Sequence, residues 1–341
     1  MKKPKATVQK DGLHDRFGRQ ITYLRFSITE HCNFRCQYCS PAEGTPFFDR
    51  KDHLNSSETQ RLLRIFRGLG LQHLRLTGGE PLIHPRVVET VRYGVGLGIG
   101  KVSLSTNGYL LDRFAADLQA AGLNSLNVSL DTLDPERFHV ITRGGSLAKV
   151  LSGIEKARSV GIPRIKLNAV LMRGKHEEDI LQLVDFAQSR ELDIRFIEMM
   201  PLGVAGSGVY DTSYLSAVEA RSILEQKVGR LFPIASGRDQ GPARLFRFAK
   251  GSSQIGFITP ISDSFCASCN RVRLTAAGRL VYCLGQEQGM DLLPLLREPS
   301  MDDGMVAESI RAGVWADKPE QHAFLQDRKR SSKIFMMRLG G

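Results

Sequence analysis

Six cysteines, all that the chain contains, fall into two groups of three. The first group is Cys32, Cys36 and Cys39, in the segment CNFRCQYC, and the second is Cys266, Cys269 and Cys283. Cysteines this closely spaced are typical of metal binding in a reducing compartment. A closed zinc site takes four ligands, whereas a cubane iron–sulfur cluster takes one cysteine per iron, so three cysteines leave one iron open. The spacing favours such a cluster, and a structural zinc ion is the alternative.

Three basic side chains share one face of the predicted strands. Arg25, Arg75 and Lys166 alternate with apolar residues that share the other face. Cations facing the interior of a barrel cost several kcal/mol each to desolvate unless they are paired. The pattern therefore predicts a bound anionic ligand, with an internal salt bridge to Asp131 or Glu198 as the alternative.

Repeated strand and helix patterns must position these residues. Strand-like segments occur at 21–29, 71–81, 101–108, 124–131, 163–171 and 192–201, and helical patterns occur around 85–97, 112–121, 146–160 and 176–190. A further helix follows the first cysteines, with Ser57 and Gln60 at capping-box spacing and Gly70 as its terminator. Repeated βα units predict a parallel sheet. Six units fit a partial (β/α)6 TIM-like barrel or a doubly wound sheet.

The C-terminal part of the chain, from about residue 244, has a different pattern of predicted secondary structure. Short β-like runs at 244–250, 254–259, 271–275 and 279–284 predict a small antiparallel extension that carries the second cysteine group. We therefore divide the chain into a basic N-terminal segment, a barrel, an auxiliary-cluster region and a tail, at residues 1–20, 21–215, 216–300 and 301–341.

Composition and charge narrow the class of protein. The chain is 42% hydrophobic and 24% charged, which is typical of a globular protein, and its net charge of +11 suggests an anionic partner. No apolar run is long enough to span a bilayer, and the basic start lacks the apolar region of a signal peptide. We expect a cytoplasmic protein with no membrane partner.

The cysteine and glycine motifs resemble those of a known superfamily. CNFRCQYC, with Tyr38 before the last cysteine, and TGGEP at 77–81 resemble the motifs of radical S-adenosylmethionine (SAM) enzymes. From about Thr22 to its end, the chain is similar to the GTP 3′,8-cyclase family. Further motifs that carry this similarity are LRLTGGEPL, NVSLDTLDPERF, IRFIEMMPLG, GPAR and the second cysteine block. His84, in PLIHP, stands where that family commonly has a basic residue.

The resemblance implies two [4Fe-4S] clusters, one on each cysteine group, and SAM on the first. It implies SAM contacts at Tyr38, Gly79, Ser129 and Met200. It implies GTP contacts at Arg25, Arg75, Thr106, Lys166, Arg271, Val272 and Arg273.

The same resemblance implies the reaction and its context. A 5′-deoxyadenosyl radical from SAM removes a hydrogen from C3′ of GTP, C3′ bonds to C8 of guanine, and reduction gives 3′,8-cyclo-7,8-dihydro-GTP. This lyase reaction is the first step of molybdenum cofactor biosynthesis. It needs an electron donor, which the sequence does not identify, and a downstream cyclic pyranopterin monophosphate synthase receives the product. The resemblance also leaves room for a homodimer.

Two other functions compete with this one. A radical SAM peptide maturase would usually carry more cysteines in its auxiliary domain, and its substrate gives no role to three interior cations. A basic, zinc-stabilised nucleic-acid-binding protein would place basic and aromatic residues on an exposed face.

The chain ends in Gly340 and Gly341. Terminal residues are commonly frayed, but glycines without side chains also pass through narrow openings. The resemblance implies that this tail enters the active site and is needed for turnover.

Overall fold

The computed structural model describes residues 12–41, 43, 52–174, 177–235, 241–325 and 336–339. The centre of its sheet consists of six parallel strands, which lie side by side in chain order. They are β1 (Tyr23–Ser27), β2 (His73–Thr77), β3 (Lys101–Thr106), β4 (Ser125–Ser129), β5 (Ile165–Leu171) and β6 (Asp193–Glu198). All six correspond to predicted strands, so the repeated βα pattern is confirmed.

Eight helices occur between the start of β1 and residue 227 in the described residues. They are α1 (Ser56–Gly68), α2 (Val87–Gly96), α3 (Leu111–Ala120), α4 (Pro135–Thr142), α5 (Leu147–Ser159), α6 (Glu177–Ser189), α7 (Gly203–Ser213) and α8 (Ala217–Lys227). The predicted capping box of the first helix was wrong, because Asn55 begins the helix earlier and Glu58 completes its box. The Asn55 side chain accepts from the Glu58 amide at 2.9 Å, and the Glu58 carboxylate accepts from the Asn55 amide at 2.8 Å.

Three further strands extend the same sheet at each edge. Beside β1 lie β10 (Arg271–Leu274), β11 (Arg279–Val281) and β12 (Gly289–Asp291), and beside β6 lie β9 (Ile255–Ile258), β8 (Arg244–Arg247) and β7 (Phe232–Ile234). The predicted antiparallel strands are present, but β10 pairs parallel with β1 and β9 pairs parallel with β6. In the described residues β7 and β12 do not pair with each other, so the sheet stays open. The division into four segments stays a prediction.

The last helices are α9 (Leu293–Arg297), α10 (Asp303–Asp317) and α11 (Met336–Leu339). In the part of the chain that the structure describes, none of the helices has the length and apolar character that a membrane crossing requires.

The two faces of the sheet have opposite chemistry. Apolar residues such as Leu24, Leu74 and Leu126 are fully buried in the main hydrophobic core, which includes residues of α1 to α6. The alternate residues, including Arg25 and Lys166, line a cavity on the other face. Because side chains alternate along a strand, packing helices on one face leaves the polar face to line the interior.

We expect Gly153→Ala to destabilise the fold. A Cβ at Gly153 would lie 2.7 Å from the backbone carbonyl of Gly108, so α5 would be pushed from the loop before α3. Overpacking of this kind costs about 1–3 kcal/mol, which a lower thermal unfolding midpoint would report.

Gly208→Ala is the matched control, because this helical glycine has open space around its added methyl group. That substitution should leave the midpoint unchanged or raise it, since alanine is the better helix former. Equal midpoints for both variants would contradict the close α5 contact.

Candidate active site

The first three cysteines lie in the loop that follows β1. The amides of Cys39 and Ser40 donate to the carbonyl of Cys36 at 2.9 and 3.0 Å, which bends the loop into a tight turn. Burial raises the pKa of Cys32 to about 11 and that of Cys39 to about 12. Thiolates at these positions therefore need a positive partner, and bound metal ions supply one.

The TGGEP loop packs directly against this cysteine loop. A Cβ at Gly79 would collide with the carbonyl of His31, so only glycine permits so close an approach. The buried Glu80 carboxylate accepts from the Thr106 hydroxyl at 2.7 Å and from the Asn107 amide at 2.6 Å. Burial raises the pKa of Glu80 to about 7. Glu80 thus ties the glycine loop to the end of β3 and occupies the hydroxyl proton of Thr106.

A cavity of about 320 Å³ runs along the polar face of the sheet. The four predicted SAM contacts all line it: Tyr38, Gly79, Ser129 and Met200. The hydroxyl of Tyr38 donates to Asp131 at 2.7 Å, and Asp131 also accepts from the Val170 amide at 2.8 Å. These bonds fix the ring of Tyr38 at the cavity wall.

Three arginines lie side by side in the wall of this cavity. Arg273, Arg25 and Arg75 occupy one register position on β10, β1 and β2. Burial, and then the charge of Arg273, lowers the pKa of Arg25 well below its usual value. Burial also lowers the pKa of Arg273 to about 10, with Arg271 adding to the effect. The wall therefore holds like charges at close spacing.

Lys166 on β5 adds a further cation to the cavity. It is 4% exposed, and burial, followed by the charges of Arg164 and Lys101, lowers its pKa to about 7. Neither Lys166 nor Arg75 forms an ion pair with a described carboxylate. An anion in the cavity would relieve the repulsion between these cations.

The proposed salt-bridge partners have other roles. Asp131 accepts from Tyr38 and a backbone amide, as described above. Glu198 accepts from the amides of Ala217, Ile261 and Ser262 at 3.0–3.2 Å. Both carboxylates therefore have hydrogen-bond partners other than the interior cations.

The remaining predicted GTP contacts divide by strand face. Thr106, Arg271 and Arg273 line the cavity. Val272 does not, because it alternates with the two arginines, and its side chain is 1% exposed in the hydrophobic core. Val272 could therefore contact a ligand in the cavity only through its backbone.

Tyr23 is a cavity residue that the sequence reasoning missed. Its ring stacks on His73 with centroids 4.0 Å apart, and the guanidinium groups of Arg271 and Arg75 lie 5.3 and 5.7 Å from its centroid. The sequence alone could have indicated this position, because Tyr23 is two residues before Arg25 and so lies on the same face of the strand.

The second cysteine group lies near the start of β10 and the end of β11. Burial raises the pKa of Cys283 to about 11. Burial also raises the pKa of Cys269, but the charges of Lys318 and Arg271 outweigh it and lower that pKa overall. Because Arg271 pairs with Tyr23 at the start of β1 and Cys32 follows its end, the two cysteine groups lie at opposite ends of the cavity.

The three thiols of each cysteine group lie close to one another. No three His, Cys, Asp or Glu side chains of the described residues are placed so that they could hold one metal ion. Ligands of one zinc ion bind at about 2.3 Å and must converge on a point, whereas a cluster spreads its ligands over several irons. The Cys36 thiol is within electrostatic range of Cys32 and Cys39, and the Cys283 thiol is within range of Cys266 and Cys269. Each group therefore brings together three thiols, the donor set of an iron–sulfur cluster with one open iron.

The last described helix, α11, contacts both the first cysteine group and the cationic wall of the cavity. The Met337 amide donates to the sulfur of Cys39, and Arg273 donates to the Leu339 carbonyl at 2.9 Å. Leu339 is 1% exposed. Gly340 and Gly341 lie outside the described residues.

Comparison with solved structures supports the fold. SuiB from Streptococcus suis, in its crystal structure bound to S-adenosylmethionine, is similar with a TM-score of 0.58 at 16% sequence identity. The alignment covers 84% of this chain and 68% of that one.

Comparison with sequences identifies the family. Residues 26–187 match the model of the radical SAM superfamily, and residues 192–324 match the model described as Molybdenum Cofactor Synthesis C. GTP 3′,8-cyclase 1 of Pseudomonas aeruginosa is 45% identical, over 96% of this chain and 98% of that protein. GTP 3′,8-cyclase of Marinobacter nauticus is 42% identical over the same shares. This chain belongs to the GTP 3′,8-cyclase family of the radical SAM superfamily.

Proposed function

We propose that this protein cyclises GTP to (8S)-3′,8-cyclo-7,8-dihydroguanosine 5′-triphosphate, the first step of molybdenum cofactor biosynthesis. One observation carries the proposal: a cavity lined by closely spaced cations, of which Lys166 and Arg273 are buried, lies between two groups of three cysteines. A nucleoside triphosphate supplies about four negative charges, which would offset much of the positive charge on this wall.

Each cysteine group holds one [4Fe-4S] cluster, and the first also holds SAM. The ligands are Cys32, Cys36 and Cys39 for the first cluster and Cys266, Cys269 and Cys283 for the second. When bound, the first cluster and SAM supply the one-electron chemistry that removes hydrogen from C3′ of GTP so that C3′ can bond to C8. Tyr38, Gly79, Ser129 and Met200 contact SAM.

The substrate is held by the cationic wall. Arg25, Arg75, Lys166, Arg271 and Arg273 bind GTP, with Thr106 and the backbone of Val272 beside them. Each charge-assisted hydrogen bond contributes about 1.5–3 kcal/mol in such a site. The walls of the cavity also exclude water that would quench a reactive substrate.

The tail completes the site. The helix α11 is held at Cys39 and at Arg273, and it is followed in the sequence by Gly340 and Gly341. We assign them to positioning or protecting the reacting substrate. The reaction also requires an electron donor, and its product passes to a cyclic pyranopterin monophosphate synthase. A homodimer is the assembly that we propose.

Anaerobic incubation of the reconstituted protein with SAM, a reductant and each nucleoside triphosphate tests the reaction. Only GTP should give a new isomer of the nucleotide, separated by chromatography and identified by mass. GTP deuterated at C3′ should yield 5′-deoxyadenosine that carries one deuterium. Cys32→Ser should produce no 5′-deoxyadenosine, and turnover of another triphosphate in place of GTP would refute the proposal.

The affinity for GTP should fall as the pH rises. Burial lowers the pKa of Lys166 to about 7 in the free protein, and a nearby phosphate would raise it again. Below pH 7 the amine is protonated in both states, whereas above pH 7 binding must take up a proton. The Kd should therefore rise by up to about tenfold per pH unit between about pH 7 and 9, measured by calorimetry.

Two variants at Lys166 serve as controls for this pH dependence. Lys166→Met should bind GTP at least about tenfold more weakly at pH 7, with a flatter pH profile, and should bind SAM normally. Lys166→Arg keeps the charge and should also flatten the profile. A slope in Lys166→Met equal to that of the unaltered protein would assign the pH dependence to another group.

Deleting Gly340 and Gly341 should separate turnover from binding. Iron content and the Kd for GTP should change by less than about twofold, while product formation falls by more than about tenfold, because small errors in positioning are costly to a reaction. Full-rate turnover by the truncated protein would show that the tail is merely frayed.

A further inference from the structure

Lys318, which directly follows α10, is a buried cation beside the second cysteine group. The residue is 2% exposed, and its ammonium donates to the carbonyls of Arg271 and Tyr282, both at 2.8 Å. Arg271 lies two residues after Cys269, and Tyr282 comes directly before Cys283. Lys318 therefore holds together the two chain segments that carry these thiols.

The positive charge of Lys318 points to an anion at this site. In the described part of the chain it forms no ion pair with a carboxylate, and nearby Asp15 is already ion-paired with Arg19. Burying an ammonium group without an anion is strongly unfavourable. The thiols of Cys269 and Cys283 are within electrostatic range of the ammonium. A negatively charged group on these cysteines is thus the partner that Lys318 requires.

His322, four residues later, contacts a cysteine sulfur directly. Its Nδ1 lies 3.1 Å from the sulfur of Cys283, and the residue is 7% exposed. The ring packs edge-on against Phe265, with centroids 6.4 Å apart, which fixes its orientation. A metal-bound thiolate carries no proton and can only accept, so Nδ1 of His322 is the donor when the site is loaded.

The same segment, residues 318–322, is also tied to the third cysteine. The guanidinium of Arg19 donates to the carbonyls of Cys266 and Glu320, both at 2.8 Å, and to that of Pro319 at 2.5 Å. All three cysteines are therefore connected to this segment, although it lies more than thirty residues beyond the last of them.

We propose that Lys318 and His322 are positioning residues that set the charge balance and the reduction potential of the cluster on the second cysteine group. The proposal rests on the proposed function only in requiring a cluster there. A positive charge and a hydrogen bond to a cysteine sulfur both favour the more negative, reduced cluster. Together they raise its reduction potential.

The test isolates the second cluster. Replacing Cys32, Cys36 and Cys39 by Ser removes the first cluster, so that an anaerobic redox titration followed by electron paramagnetic resonance reports the second alone. In this background Lys318→Met and His322→Phe should each shift the potential to a more negative value. Lys318→Arg and His322→Asn, which keep a charge or an N–H donor, should restore part of the shift.

Lys227→Met, at an exposed lysine near the end of α8, is the control and should leave the potential unchanged. If Lys318→Met instead loses the second cluster, iron analysis should show that Lys318→Arg retains it, which supports the charge role. Unchanged iron content and potential in both Lys318→Met and His322→Phe would overturn the proposal.

These measurements need no GTP. A failure of GTP turnover in the unaltered protein would therefore refute the proposed function without deciding the role of Lys318 and His322.

Discussion

The parallel pairing of β1 with β10 is the contact on which the site depends. It joins residues 23–26 to residues 271–274, and the Asn270 carbonyl adds bonds from the amides of Thr22 and Tyr23 at 3.2 and 3.1 Å. The entropic cost of closing so long a loop grows only slowly with its length. Through this one pairing the second cysteine group reaches one end of the cavity while the first occupies the other.

The same pairing creates the electrostatic character of the cavity. It places Arg273 next to Arg25, which already neighbours Arg75 on β2, and it places Arg271 against Tyr23. Electrostatic repulsion makes such a row of like charges unfavourable in the free protein, and a bound anion makes it favourable. Ligand binding and stability are consequently linked, since a ligand that binds only the folded state stabilises it. Arg273 also donates to the carbonyl of Leu339 and thereby holds α11 against the cationic wall.

Much of the fold was predictable because its signals are local. Strand alternation identified the cationic face, and apolar spacing located α2, α3, α5 and α6. The helix α4 was missed although Asp134 caps it and Pro135 begins it, a recognised combination for a helix start. The predicted capping box of α1 began two residues too late. Asn55 and Ser57 are both good N-cap residues, and only the observed hydrogen bonds show that Asn55 is the cap.

The sequence by itself determined which residues have the chemistry: two cysteine triplets, the glycine loop and the cations of alternating strands. These follow from spacing and from the two-residue period of a strand, both of which are properties of short segments. Only the tertiary structure decided that β10 joins β1 and that Lys318 and His322 lie beside the second cysteine group. Such contacts join residues far apart in the chain, whose proximity depends on the packing of the whole sheet and leaves no periodic pattern in the sequence.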